Sequence, residues 1–118
     1  MGRISGSGAE GNLNTTALES TWAQPSGISF GRFNERDCYF VADSESSAVR
    51  VMYSDDYTSE SLAGGSPDCK DLAAFGDRPG KGCDAKLQHL MGVHYHNGVV
   101  YVADTYNHKV KLMKANID

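Results

Sequence analysis

The sequence is poor in cysteine and proline, and it lacks both a long apolar run and an excess of basic residues. Its 118 residues include Cys 3, Pro 3 and Trp 1, and no two cysteines have CxxC spacing. A secreted disulfide scaffold would carry an even and denser set of cysteines. No apolar run approaches the length of a membrane-spanning helix, and the first residues lack the apolar core of a signal peptide. We therefore expect free thiols, a cytoplasmic location and no membrane partner.

The charge balance argues against a nucleic-acid surface. The formal net charge is −4, whereas phosphate binding requires clustered lysines and arginines. The acidic residues are concentrated between Asp43 and Asp77, and a basic edge near the end of the chain consists of Lys109, Lys111 and Lys114. We expect no nucleic acid as a partner. RNA binding is an alternative that depends on those three lysines.

Two stretches of the chain repeat in register. Residues 40–52 read FVADSESSAVRVM and residues 101–113 read YVADTYNHKVKLM, which matches Val, Ala, Asp, Val and Met at an offset of 61. Upstream, QPSGISF at 24–30 parallels HLMGVHY at 89–95 at an offset of 65. Residues 62–65 resemble residues 4–8 more faintly, and each segment is predicted to end a strand. The chain therefore reads as the end of one unit, a whole unit and most of another.

Each unit is predicted to consist of short strands joined by turns. The strands are expected at residues 27–30, 38–42, 48–53 and 59–63, and again at 92–95, 99–103 and 109–113. Asn97-Gly98 predicts a tight hairpin, whereas residues 31–37 suggest a longer polar connection. The apolar run at 99–103 predicts a strand covered on both faces. The alternation of lysine with apolar residues at 109–113 predicts a strand with one face in water.

The repeated segments resemble the NHL repeat family, which takes its name from Asn-His-Leu near this turn. The likeness lies in Val41-Ala42-Asp43, in the run from Val102 to Val110, and in the opening QPSGI at 24–28. The resemblance implies an all-β fold made of about two four-stranded antiparallel blades of an NHL-type β-propeller, which has six blades in the full-length relative. Blades must stack on neighbours to bury their faces.

The resemblance also implies a division of the chain. Residues 1–22 would be the end of a preceding blade and a linker, 23–65 the first blade, 66–86 an inter-blade loop, and 87–118 an incomplete second blade. We expect a fragment of a longer chain, whose partners are its remaining blades and a further protein that the sequence does not identify. A chain on its own would self-associate, because two blades leave apolar faces and unpaired edges.

Four residues are predicted to shape the repeated turns: Asp43, Asp104, Asn107 and His108. An aspartate that ends a strand commonly accepts hydrogen bonds from the amides of its own turn. We predict no catalytic residue, no cofactor and no metal, and we expect a non-enzymatic protein-interaction scaffold. The alternative is an enzymatic propeller, a metal-dependent lyase or lactonase, in which His94 and His96 would serve as ligands because residues two apart in a strand share a face.

Overall fold

The computed structural model describes residues 2–65, 75–78, 80 and 85–115. Two antiparallel sheets form in this part of the chain. The first sheet has the order β1-β2-β3-β4, and its strands are Pro25–Phe33, Arg36–Asp43, Ala48–Tyr53 and Ser59–Gly64. The second has the order β5-β6-β7, with strands Gly92–His96, Val99–Asp104 and Lys109–Lys114. The all-β class and the antiparallel order are as predicted.

Two short 3-10 turns occupy equivalent places in the two sheets. Ser44–Ser46 joins β2 to β3, and Thr105–Asn107 joins β6 to β7. Among the described residues, none belongs to an α-helix, and no helix has the length and apolar character needed to cross a membrane. The number of blades in the complete fold stays a prediction.

The connection between β1 and β2 is a two-residue hairpin, so the longer connection predicted at residues 31–37 is wrong. Asn34 and Glu35 form the turn with φ of 55° and 61°, which matches the two positive φ values of a type I′ turn. Across the hairpin, Arg32 pairs with Asp37 in register, and their side chains lie 2.9 Å apart. The turn signal at this hairpin is weak because Glu35 stands where glycine is usual.

The core lies between the two sheets. The inner face of the first sheet, as we name it, consists of Cys38, Phe40, Ala42, Val49, Val51 and Tyr53. It packs against the inner face of the second sheet, made of Val93, Tyr95, Val100, Val102 and Met113. The Tyr95 ring stacks on Phe40 with 5.5 Å between centroids and 9° between planes. Gly31 permits this approach, because a Cβ there would lie 2.5 Å from Tyr95 Cγ.

Each sheet has a second face. The outer face of the first sheet carries Ile28, Phe30, Val41, Arg50 and Met52, which alternate with the inner-face residues along their strands. The outer face of the second sheet, by the same alternation, carries His94, His96, Val99, Tyr101, Ala103, Val110 and Leu112. Residues 2–22 lie near the first of these faces, whereas no described segment covers the exposed Val110 and Leu112.

Residues 4–8 do not form the strand that their likeness to residues 62–65 predicted. The backbone N–H groups of this segment instead donate hydrogen bonds to carbonyls of residues 17–20. The Gly6 N–H donates to the Ala17 carbonyl and the Ser7 N–H donates to the Ser20 carbonyl, each over 2.9 Å. The Trp22 indole N–H donates to Ser5 Oγ over 2.9 Å. The segment is therefore a folded loop that leads into the first sheet.

Candidate functional site: two buried acidic turns and an exposed sheet face

The aspartate that ends β2 is fully buried. Asp43 accepts hydrogen bonds from the Ala23 N–H over 2.8 Å, the Ser46 hydroxyl over 2.7 Å and the Arg50 guanidinium over 2.8 Å. The prediction that Asp43 bonds the amides of its own turn is wrong, since no backbone N–H of the turn bonds to its side chain. Instead the carboxylate joins the turn to the chain entering the sheet and to the next strand.

Arg50 lies opposite this carboxylate and is also fully buried. Its Nη1 donates to the Thr21 carbonyl over 2.6 Å, and its Nη2 donates to Asn14 Oδ1 over 2.9 Å. The Trp22 ring lies 4.1 Å from the guanidinium carbon, a cation–π contact. Burial lowers the pKa of Arg50 and the adjacent Asp43 opposes that change. The guanidinium remains charged, because arginine is not deprotonated in proteins.

The second sheet repeats this arrangement at Asp104. Its buried carboxylate accepts from the Gln88 N–H over 2.8 Å and from Asn107 Nδ2 over 2.7 Å, and it pairs with Lys111 Nζ at 2.7 Å. Asn107 also donates to the Gly76 carbonyl over 2.6 Å. Asn107 thus takes the place of Ser46, and it additionally holds the preceding loop.

His108 lies in the predicted turn, where its backbone is the part engaged. His108 has φ of 56° and its N–H donates to the Thr105 carbonyl over 3.1 Å. Ser47 does the same in the first sheet, with φ of 52° and a bond to the Ser44 carbonyl over 3.1 Å. Because serine replaces histidine without changing the turn, the left-handed backbone rather than the imidazole is common to both copies. The His108 side chain is exposed.

A basic residue seven positions after each aspartate was missed by sequence reasoning as a site residue. Arg50 and Lys111 correspond at the offset of 61, and that recurrence was the available signal. Both bind the chain upstream of their sheet: Arg50 donates to the Thr21 carbonyl, and Lys111 donates to the Lys86 carbonyl over 3.2 Å. Those two carbonyls differ by 65 residues, the second offset of the repeat. Each acid–base pair therefore fastens a linker to its sheet.

The basic edge is neutralised in part by Asp77. Lys109 and Lys111 both bind this carboxylate, Lys111 over 2.7 Å. Hydrogen bonds from Lys109 and then Lys111 lower the pKa of Asp77. Two of the three lysines of this edge therefore already carry a bound carboxylate.

His94 and His96 share the outer face of the second sheet, because residues two apart in a strand point to the same side, and both are exposed. The polar contact in which His96 takes part joins its Nε2 to Asn97 Nδ2 over 3.1 Å. Within residues 2–65, 75–78, 80 and 85–115, no group of three His, Cys, Asp or Glu residues could hold a metal ion. The structure thus places the two histidines together without a third ligand from the described chain.

The outer face of the second sheet is apolar and open. Val110 is 78% exposed, Leu112 is 61% exposed and Tyr101 is 42% exposed. Residues 99–103 were predicted to be covered on both faces, but in this structure Val100 and Val102 are buried while the opposite face is open. The exposed face of β7 is its apolar one, although the alternation with lysine suggested the reverse. An open apolar patch of this kind is typical of an interaction surface.

Cys38 is the cysteine that the structure describes, and it lies fully buried on the inner face of the first sheet. Burial, followed by the nearby Asp37 carboxylate, raises the pKa of its thiol to about 11. A thiol with so high a pKa is a poor nucleophile at neutral pH. Cys69 and Cys83 lie outside the described residues.

The chain is similar in sequence to NHL repeat proteins, although no protein-family model matches it. It is 46% identical over 114 residues to human NHL repeat-containing protein 2 and 45% identical over 114 residues to the bovine protein. Each alignment covers 94% of this chain and 16% of the relative. It is also 46% identical over 111 residues to Protein SUPPRESSOR OF QUENCHING 1, chloroplastic, of Arabidopsis thaliana, covering 92% of this chain and 10% of that protein. The predicted NHL resemblance is confirmed, and the chain spans a small part of these relatives.

Solved structures agree on the fold. An auxiliary nutrient binding protein from Bacteroides ovatus matches with a TM-score of 0.75 at 18% identity, over 88% of this chain and 26% of that one. Its counterpart from Bacteroides thetaiotaomicron matches with a TM-score of 0.72 at 14% identity, over 92% of this chain and 27% of that one. At such low identity the likeness concerns the fold alone, which is β-propeller-like.

Proposed function

We propose that this chain, which matches a segment of NHL repeat proteins, is a non-enzymatic part of a β-propeller and acts as a protein-interaction scaffold. The observation that carries the proposal is the open apolar face of β6 and β7, where Val110 and Leu112 are 78% and 61% exposed. Covering such side chains contributes about 25 cal/mol per Å² of apolar surface. The partners are the other blades of a longer chain and a further protein bound by the assembled ring.

The acid–base groups support a structural role over a catalytic one. Asp43 and Asp104 are fully buried, and each accepts hydrogen bonds from a backbone N–H and a neighbouring side chain while it faces a basic residue. A general base must reach a proton on a substrate, and these carboxylates have no exposed oxygen. Their chemistry is the fastening of turns to linkers.

The proposal is tested by a substitution on the open face. The chain is used as bait in an extract of its own source, and the retained proteins are quantified by mass spectrometry for wild type, Leu112→Asp and Glu35→Lys. Glu35 lies in the β1–β2 hairpin, so it controls for a surface charge change elsewhere. We expect proteins that wild type and Glu35→Lys retain equally and that Leu112→Asp loses. If Leu112→Asp retained the same proteins as wild type, the proposal would be contradicted.

An enzymatic propeller is the second candidate, and His94 with His96 is the observation that favours it. The two imidazoles share an exposed face, as two metal ligands would. Our proposal expects no turnover of a lactone panel by the full-length protein with added Zn²⁺, Ca²⁺ or Mn²⁺. Metal-dependent turnover that disappears in His94→Ala and His96→Ala would establish the enzyme instead.

RNA binding and cellular location are the remaining elements of the proposal. Since Asp77 binds both Lys109 and Lys111, we propose that the basic edge does not serve RNA; salt-sensitive binding of a fluorescent single-stranded RNA, lost in Lys109→Glu, would overturn this. We propose a cytoplasmic location, although one relative is named chloroplastic. Microscopy of the tagged full-length protein distinguishes the two compartments.

A further inference from the structure

The repeat makes the outer face of the second sheet the counterpart of the inner face of the first. The offset of 61 places Tyr101 at the position of Phe40, Val110 at that of Val49 and Leu112 at that of Val51. The inner face of the first sheet is already covered, by the second sheet of this same chain. The chain therefore contains one copy of a sheet-to-sheet contact and an open surface prepared for another.

The two surfaces differ along the first strand of each sheet. The offset of 65 aligns Gly31 with His96. In the first sheet the absence of a side chain at Gly31 admits the Tyr95 ring, since a Cβ there would lie 2.5 Å from Tyr95 Cγ and 2.8 Å from Phe40 Cε2. In the second sheet the equivalent residue, His96, carries an imidazole and is exposed. An aromatic ring cannot enter over His96 as Tyr95 enters over Gly31.

A second copy of this chain has the wrong side chain for this surface. Its outer first-sheet face presents Phe30 at the position of Tyr95, by the same offset of 65, and Phe30 is 56% exposed. Stacking two copies in the geometry seen within the chain would bring Phe30 against His96. Overpacking of this kind costs more than the added contact returns.

We infer that the outer face of the second sheet docks a further sheet of the same repeat that has a small side chain, valine or less, at the position of Tyr95. This inference rests on the proposed scaffold function and adds which sheet the scaffold accepts. The position two residues earlier shows the same change from a small to a large side chain. In the first sheet Ser29 Oγ accepts the Tyr95 N–H over 3.0 Å, and the offset of 65 places the larger His94 at the position of Ser29. His96 and His94 thus set the size of the incoming strand.

The experiment measures the binding of the first-sheet outer face of one copy of the chain to the second-sheet outer face of another copy. The receptor is immobilised wild type or His96→Gly. The soluble probe carries Leu112→Asp, which disables its own second-sheet face, and has either Phe30 or Phe30→Val on its first-sheet face. Phe30 and His96 are both exposed, so we expect all variants to fold, and circular dichroism verifies it. Biolayer interferometry gives the affinities of the four pairs.

We expect the wild-type receptor to bind the Phe30→Val probe about tenfold more tightly than the Phe30 probe. The His96→Gly receptor should bind the Phe30 probe better than wild type does, so the preference narrows or reverses. Equal affinities for the two probes on both receptors would overturn the size inference. A Leu112→Asp receptor separates the two levels: if it still binds, the face is not a docking surface and the proposed function fails as well.

Discussion

The two sheets carry the same turn at different depths. In the first sheet, Asp43 and Arg50 are both fully buried, and a neutral Asn14 completes the site. In the second, the Lys111 side chain is 24% exposed and is shared between Asp104 and a second carboxylate, Asp77. The repeat therefore preserves the pairing of acid with base. The further partner of the base comes from the linker that covers each sheet, and it is neutral in the first sheet and acidic in the second.

The difference follows from what lies on each sheet. Residues 2–22 cover Arg50 with two carbonyls, an amide and the Trp22 ring, which replaces the water that the guanidinium loses. Lys111 keeps partial contact with solvent and needs less compensation. A buried charge that loses its partner is left without water or a counter-ion, which is far more costly than the same loss near the surface.

The largest effect should come from neutralising the buried aspartate. Asp43→Asn leaves Arg50 charged and buried, so we expect a loss of about 3–5 kcal/mol in the free energy of unfolding. Asp104→Asn is the matched control, and since Lys111 keeps Asp77 we expect only about 1–2 kcal/mol. Urea denaturation of both variants followed by far-UV circular dichroism gives the values. Equal losses would show that the depth of burial does not separate the two turns.

A smaller effect should follow from a methyl group at the sheet-to-sheet contact. Gly31→Ala places a Cβ 2.5 Å from Tyr95 Cγ, which forces the sheets to shift and should cost about 1–3 kcal/mol. His96→Ala, at the equivalent position of the open face, should change stability by less than about 0.5 kcal/mol. The same denaturation measurement applies. A tolerated Gly31→Ala would mean that the two sheets are not packed as closely as described.

The repeat predicted where the strands of the two sheets lie, because strand alternation and turn chemistry are local properties, but it also predicted a strand at residues 4–8 that does not form. The strand at Ala48–Tyr53 was predicted with its observed bounds. The hairpin at Asn34-Glu35 was missed, since its glutamate has φ of 61° and gives no glycine signal. Gly31, in the first strand of that hairpin, lies against the Tyr95 ring of the second sheet, a long-range contact that no local pattern contains.

Sequence analysis selected Asp43 and Asp104 but did not identify the groups that bind their carboxylates. Asp43 and Asp104 recur visibly, but their donors Ala23 and Gln88 lie 20 and 16 residues away in the chain. Burial also depends on what covers a face. The apolar face of β7 is open, because alternation shows that two faces differ and cannot show which of them a neighbour covers.

The reactivity of a cysteine thiol provides a further comparison between the inner face of the first sheet and the outer face of the second. Cys38 lies fully buried with a thiol pKa of about 11 against an ordinary 9.0, and Val99 occupies the equivalent position on the open face. At pH 8 a rise of about two pKa units lowers the thiolate fraction on the order of 100-fold. We expect Cys38 to be alkylated by iodoacetamide on the order of 100-fold more slowly than a Val99→Cys thiol, measured peptide by peptide with mass spectrometry.

The same pKa predicts a pH dependence of stability. Because the folded pKa of Cys38 is raised, its contribution to stability is complete below about pH 9 and is lost as pH rises toward about 11. Cys38→Ala should remove this part of the alkaline loss while leaving the remainder. An unchanged slope between pH 9 and 11 in urea titrations of Cys38→Ala would contradict the assignment.

The smallest effect concerns the two hairpins. Glu35 has φ of 61°, whereas the equivalent turn residue Gly98 has φ of 81°, and a residue with a Cβ loses about 1 kcal/mol in this region. Glu35→Gly should stabilise the chain by about 0.5–1 kcal/mol, because the Arg32 guanidinium bonds to the Glu35 backbone carbonyl and keeps that bond. Gly98→Glu is the reciprocal change and should destabilise by a similar amount in urea denaturation. If Glu35→Gly instead weakened the fold, the glutamate side chain would have a role that its exposed position does not reveal, and the two hairpins would differ in more than their turn residue.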